Sequence, residues 1–258
     1  MTRQNTNRND RWIRKYQAEA MGDFYGLESN YEIIRGLKNR QSYKGILLFG
    51  LPGSGKTSLG RWLLQSMRCQ GNTTEPCGEC EPCRDFERAF ASALFDGAWI
   101  NDDSRVKDVL YRANRPDFDL FIDNLDLSDK SLCRMLLGCM DHYHGGRLIL
   151  AASDLNFIPK PLQQRCLIIR LSYNERSMIQ LAKKICTAES VSIENEDALK
   201  ELIGLTNNNP RCLINVLEII GLKGRKIDQD ICWDQDVLAN CNPADDNSKK
   251  KRKSRQRK

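Results

Sequence analysis

Apolar positions along the chain alternate between short continuous runs and longer stretches of helical period. "GILLFG" (45–50), "DLFID" (119–123), "RLILAAS" (147–153) and "CLIIRL" (166–171) are apolar runs of strand length, and "DGAWIND" (96–102) predicts one further strand. Between them, "YEIIRGLKNR", "SLGRWLLQSM", "RDFERAFASAL" and "SDKSLCRMLLGCMDHY" place apolar residues at helical spacing, as does "SRVKDVLYRA", with Ser104 as its expected N-cap. Strands that alternate with helices predict an α/β fold: a parallel five-stranded sheet flanked by helices. From about residue 174 the pattern is helical only: "ERSMIQLAKKICTA", "NEDALKELIGLT" and "PRCLINVLEIIG". The expected organisation is a polar, basic arm over 1–28, an α/β domain over 29–172, a small helical lid domain over 173–240 and a disordered tail over 241–258.

Length and composition fit this layout. At 258 residues, with 40% hydrophobic and 29% charged residues, the chain can hold one large domain and a small companion. No uninterrupted apolar run is long enough to span a bilayer, and the polar start "MTRQNTNRND" is not a signal peptide, so no membrane role is expected. The net charge of +6 is unevenly spread: "KKKRKSRQRK" (249–258) carries eight basic residues and no acid, leaving about −2 for the rest. A polycationic tail suits polyanions; nucleic-acid contact, a targeting signal and simple solubilisation all remain open for it.

Two motifs carry chemistry. "GLPGSGKT" (50–57) fits G-x-x-x-x-G-K-[ST] between a strand and a helix, the context a P-loop requires. Gly50, Gly53 and Gly55 would let the backbone turn so that its N–H groups converge on phosphates, with Pro52 and Ser54 in the same loop and Ser58 in the first helical turn as further members of the expected nucleotide site. Lys56 can reach the β- and γ-phosphates, and the Thr57 hydroxyl can bind Mg²⁺. ATP and Mg²⁺ are therefore the expected ligands. Asp123, ending a buried strand, would complete the magnesium site, while its neighbour Asn124 cannot take a proton from water but can orient one. The second motif is Cys69-x7-Cys77-x2-Cys80-x2-Cys83, which suits a closed, structural Zn²⁺ knuckle. The seven other cysteines lie among apolar residues and are read as core. His142 and His144, in a polar "DHYHGG" turn, are not expected to be ligands.

A knuckle inserted after the P-loop helix resembles the AAA+ clamp-loader ATPases, the gamma/tau and delta-prime subunits of bacterial DNA polymerase III. "RKYQAEAMGDFYGLE", "DDSRVKDVL", "LAASDLNFIPKPLQQRCLIIRL" and "NNPRCLINVL" resemble further segments of that family, over roughly residues 12–222. "FIDNLD" and "KPLQQRC" are also similar to phage and eukaryotic small clamp-loader subunits. The resemblance implies that Ser153 is a sensor hydroxyl near the γ-phosphate. It also implies that Arg165 is an arginine finger acting in trans on a neighbouring subunit, and that Arg211 reaches the phosphates from the lid. Ser104, Arg105 and Lys107 would face the DNA backbone. Implied partners are other clamp-loader subunits, a sliding clamp and primer–template DNA, at a cytoplasmic, nucleoid-associated site, or a nuclear one if the basic tail is an import signal.

The sequence departs from that pattern in three places. Asn124 stands where the family has Glu, and Gln164 where it has Ser before the finger arginine. The third is the expectation that no collar domain follows the lid. Two alternatives to a hydrolysing clamp-loader subunit therefore stay open: a non-hydrolysing structural subunit, and an AAA+ helicase loader or transposition regulator.

Overall fold

The computed structural model describes residues 11–27, 30–39, 44–71, 73–100, 102–115, 118–141 and 147–241. The basic tail and the two histidines lie outside them. The described chain divides into two compact units, one over Ala18–Ser172 and one that joins the residues up to Gln17 to those from Tyr173 onward.

The first unit is built on five parallel strands: β1 (Gly45–Phe49), β2 (Leu94–Asp96), β3 (Leu120–Asp123), β4 (Leu148–Ala152) and β5 (Cys166–Arg170). Their spatial order is β2-β3-β4-β1-β5. Every pair is parallel, and the register aligns the carboxyl ends: Phe49 is level with Ala152, and Asp96 with Asp123. Alternate side chains supply two cores. Ile46, Leu48, Phe121 and Ile149 pack with Leu59, Leu63 and Phe90 on one face; Leu47, Ile122 and Leu150 pack with Val109, Leu132 and Leu136 on the other. The helices are α2 (Tyr31–Asn39), α3 (Lys56–Arg68), α4 (Glu81–Arg84), α5 (Phe86–Ala93), α6 (Asp103–Ala113), α7 (Lys130–Asp141) and α8 (Lys160–Arg165), following α1 (Trp12–Lys15) of the other unit. α3 comes close to β3 at Gly60, where a Cβ would lie 2.7 Å from the Phe121 ring.

Several local expectations are corrected. The second strand is Leu94–Asp96, which ends on the first residue of "DGAWIND", and Gly97–Trp99 is a 3-10 turn capped by Asp96, which accepts from Ala98 N. The N-cap of α6 is Asp102 rather than Ser104: its carboxylate accepts from Arg105 N. The described part of the expected arm is not an arm. Met21, Phe24 and Leu27 are buried in the core of the α/β unit. Trp12 and Tyr16 belong to the helical unit, where Trp12 N donates to Glu218 and Tyr16 OH to Glu189.

In the helical unit, α9 (Glu175–Glu189), α10 (Glu196–Leu205) and α11 (Pro210–Leu222) each start on an asparagine cap, Asn174, Asn195 and Asn209. α12 (Gln235–Cys241) was not legible as a separate helix; Asp234 precedes it and accepts from the N–H groups of Asp236 and Val237.

Candidate functional site: a phosphate cradle at the strand ends

β1 runs into Gly50–Gly55 and out into α3 at Lys56. Gly53 and Gly55 have φ of +84° and +87°, which an L side chain rarely adopts, so glycine there is a backbone requirement. Gly50 is fixed by crowding, since a Cβ would lie 2.7 Å from the Leu171 carbonyl oxygen. The Lys56 side chain is 6% exposed and folds back over the loop. Its Nζ donates to Gly50 O at 2.9 Å, Leu51 O at 3.1 Å and Ser153 Oγ at 2.9 Å. Thr57 Oγ1 donates to Asp123 Oδ2 at 2.5 Å, and Asp123 is 8% exposed at the end of β3. The ends of β1, β3 and β4 thus bring together Lys56, Thr57, Asp123 and Ser153, as a ligand crevice at the carboxyl edge of a parallel sheet requires. A hard hydroxyl and carboxylate side by side fit Mg²⁺, and an ammonium already ringed by oxygen acceptors fits phosphate oxygens. Pro52 and Ser54 lie within the turn, and Ser58 follows Thr57 in α3.

Asn124 sits in the left-handed region, φ +49°, and its amide is engaged on two sides. Its backbone N donates to Asp123 Oδ1 at 2.9 Å, and its side-chain Nδ2 donates to Asp96 Oδ1 at 3.2 Å. Gly97 makes room for this: a Cβ on it would lie 2.3 Å from the Asn124 carbonyl oxygen. Asp96 was not singled out in the sequence. The signal available was its "FDG" setting at a strand end.

The model of the ATPase family associated with various cellular activities (AAA) matches residues 46–173, the span holding all five strands but for Gly45, the first residue of β1. The chain carries an AAA-family ATPase domain. Among curated proteins it is 27% identical over 216 residues to the DNA polymerase III subunit gamma of Buchnera aphidicola (subsp. Acyrthosiphon pisum), covering 80% of this chain and 60% of that one. It is 26% identical over 227 residues to the replication factor C small subunit of Methanococcus vannielii, covering 86% and 68%. The chain therefore spans about 60% of the length of that gamma subunit, and 29% of the length of the tau/gamma subunit of Haemophilus influenzae. A solved structure of a mutant RuvB from Thermotoga maritima aligns with a TM-score of 0.63 at 18% identity, over 90% of this chain and 75% of that one. That likeness speaks for the fold.

Arg165 ends α8 in the AAA domain, is exposed, and donates from Nη1 to Pro161 O at 3.1 Å. The residue that anchors this helix is Gln163, buried, whose Nε2 donates to Leu155 O and Ile158 O at 2.8 and 2.7 Å. Arg211, in the helical unit, is exposed in the first turn of α11, with its backbone N on Asn209 Oδ1. Ser104 and Arg105 are exposed and hydrogen-bonded locally at their own helix start. Ser104 Oγ donates to Asp102 Oδ1 at 2.5 Å, Arg105 Nη1 to Trp99 O at 3.0 Å, and Lys107 is exposed nearby. The Ser104 hydroxyl and the Arg105 backbone hold the Asp102 carboxyl below its usual range.

The four knuckle cysteines converge, with all Sγ atoms within 4.8 Å of one another. Tetrahedral zinc at ~2.3 Å from each sulfur needs S···S separations of about 3.8 Å, so the cluster fits the ion. Gly71 N and Cys77 N donate to Cys69 Sγ, and Cys80 N to Cys77 Sγ, at 3.3–3.4 Å. Such donors favour thiolates: the bond from Cys80 N leads those that bring Cys77 down to about 6, while burial pushes Cys83 up to about 12. Glu75 ties the knuckle loop into the AAA domain. Its carboxylate accepts from Met21 N and Trp62 Nε1, both at 3.0 Å.

Proposed function

We propose that this chain is an ATP-binding and ATP-hydrolysing subunit of a clamp-loader-like assembly that acts with other subunits, a sliding clamp and primer–template DNA in replication. The observation that carries the nucleotide part is the convergence of Lys56, Thr57, Asp123 and Ser153 on one crevice. The clamp-loader part is supported by the relatives named above, and by the knuckle placed directly after α3.

In this reading the glycine-lined turn binds the phosphates through backbone N–H groups, aided by the positive end of α3. Lys56 exchanges its carbonyl partners for β- and γ-phosphate oxygens, and Ser153, already on Nζ, follows the γ-phosphate. Thr57 and Asp123 would hold Mg²⁺, which would supply charge stabilisation for phosphoryl transfer. Arg165, exposed at the end of a helix locked by Gln163, would serve a neighbouring subunit's nucleotide. A planar guanidinium suits phosphate oxygens there. Arg211 would add a guanidinium from the helical unit. Zinc would hold the knuckle closed without taking part in chemistry.

A second reading, a non-hydrolysing subunit in which ATP stiffens an interface, is favoured by one feature: position 124 is an amide bonded to Asp96, and an amide cannot itself take a proton from water.

Calorimetric binding of Mg·ATP by the full chain and by Lys56→Ala tests the site. Loss of a charge-assisted contact predicts affinity weaker by roughly 10- to 100-fold; equal affinities in a folded variant refute the phosphate assignment. Steady-state hydrolysis above the Lys56→Ala background, stimulated by primer–template DNA, is expected. Tight ATP binding with turnover at background selects the second reading.

A further inference from the structure

The following rests on the hydrolysing reading above and concerns what organises the attacking water when position 124 is an amide. β2 ends at Asp96, level with Asp123 on the adjacent strand. Asp96 Oδ1 accepts from Ala98 N at 3.0 Å and from Asn124 Nδ2 at 3.2 Å, leaving Oδ2 outside both bonds. Because Asp96 Oδ1 accepts from Asn124 Nδ2, the Asn124 amide gives its NH₂ arm to Asp96 and its Oδ1 arm takes no part in that bond. The backbone fixes the same residue. Its N–H is held by Asp123, its φ of +49° is one that asparagine tolerates, and its carbonyl occupies the space left by Gly97. Asn124 is therefore pinned between the carboxylate of the candidate magnesium site and a second carboxylate one strand away. A glutamate at 124 would lose the donor to Asp96 and set two carboxylates side by side.

We propose that Asp96 is a positioning residue for ATP hydrolysis: it holds the Asn124 amide so that Oδ1 accepts a hydrogen bond from the attacking water. The water oxygen forms a bond to the γ-phosphorus as the bond to the β,γ-bridging oxygen breaks, and that electron pair leaves on ADP. Both water protons finish on inorganic phosphate, released as H₂PO₄⁻, so neither Asp96 nor Asn124 changes protonation. Phosphoryl transfer depends chiefly on positioning and charge stabilisation, so an oriented water suffices without a strong base.

The test is single-turnover hydrolysis of radiolabelled ATP with magnesium by the full chain in excess, with ATP affinity and thermal unfolding measured in parallel. The variants are Asp96→Ala, Asn124→Gly (which keeps the positive φ accessible), their double, and Asp96→Asn. Because the two residues act as one unit, each single change lowers the rate about 10-fold, and the double lowers it by about the same 10-fold. ATP affinity stays within about twofold, since the Asp96 and Asn124 side chains bond to each other and to Ala98 N rather than to Lys56, Thr57 or Ser153. Asp96→Asn, which keeps an oxygen acceptor, recovers part of the rate. An unchanged rate in either single variant, or a double near 100-fold, overturns the pairing while leaving the phosphate site intact. Failure of the wild type to bind ATP overturns the underlying reading, and binding without any wild-type hydrolysis overturns this inference. If Asp96→Ala does not fold, Asp96→Asn takes its place in the same cycle.

Discussion

Replacing Gly60 with alanine sets two effects of opposite sign against each other at the joint between α3 and β3. Gly60 lies inside α3, where alanine is favoured over glycine by about 1 kcal/mol in an open helix. Here the new Cβ would sit 2.7, 2.8 and 3.0 Å from three atoms of the Phe121 ring. That ring is fully buried, with the Phe90 ring 6.2 Å away, so it is not a flexible end that can swing clear. Restoring ordinary contact near 3.5–4.0 Å needs the helix and strand to part by about 1 Å. Overpacking of this kind costs about 1–3 kcal/mol, so the clash wins by about 1 kcal/mol, or a Tm lower by about 2–4 °C. The displacement has a functional direction. Thr57 lies one turn before Gly60 and Asp123 two residues after Phe121, so the same 1 Å would stretch their 2.5 Å hydrogen bond beyond useful range. Mg·ATP affinity is expected to fall roughly 10-fold, from one weakened charged contact. Scanning fluorimetry and calorimetry on Gly60→Ala read both effects. Gly138→Ala in α7, where nothing lies within 4 Å of the new Cβ, is the control and should gain up to about 1 kcal/mol. A Gly60→Ala protein as stabilised as Gly138→Ala, with unchanged Mg·ATP affinity, would refute this account of the α3–β3 joint.

Two further outcomes follow from other parts of the molecule. Elemental analysis should find one zinc per chain. Stripping it with a chelator should lower the unfolding temperature, because Glu75 links the knuckle loop to Trp62 of α3 and to Met21; a metal-free protein with the same Tm would count against a structural ion. Asp234 carries a pH signature. Lys223, with Arg225 and the start of α12, brings its carboxyl from 3.8 to about 2. A carboxyl depressed on folding adds stability that is complete above the unfolded value and is lost as pH falls towards the folded one. The stability gap between wild type and Asp234→Asn should therefore be constant above pH 4 and close between about 4 and 2; a gap independent of pH would exclude the ion pairs as its source.

The α/β architecture was legible because buried parallel strands and amphipathic helices leave different apolar periods, and the P-loop because its glycines are demanded by backbone geometry at Gly53 and Gly55. Features that depend on the neighbour across the sheet were not. The order β2-β3-β4-β1-β5 sets β1 between two strands remote in sequence, which no local pattern encodes. The short β2 was misplaced because "FDGAW" mixes a three-residue strand with a capped turn, and only pairing with β3 divides them. The arm was misread because the polar start dominates its composition. The spacing of Met21, Phe24 and Leu27, three residues apart, was the overlooked sign of a buried face.

Asn124 shows most clearly what sequence alone leaves out. Taken by itself it is a missing glutamate, and the deduction from a missing base is a weak or absent ATPase. With its neighbours it is one end of a hydrogen-bonded pair whose other end, Asp96, is 28 residues earlier and one strand away. The left-handed backbone, the glycine at 97 and the acceptor at 96 each suit asparagine at this position, and glutamate would conflict with the last of them. Reverting position 124 alone is therefore a poor assay of whether the motor runs, because it breaks the pair as it adds the base. The informative change is at Asp96, where the water-orienting account and the inert account predict different rates from the same folded protein.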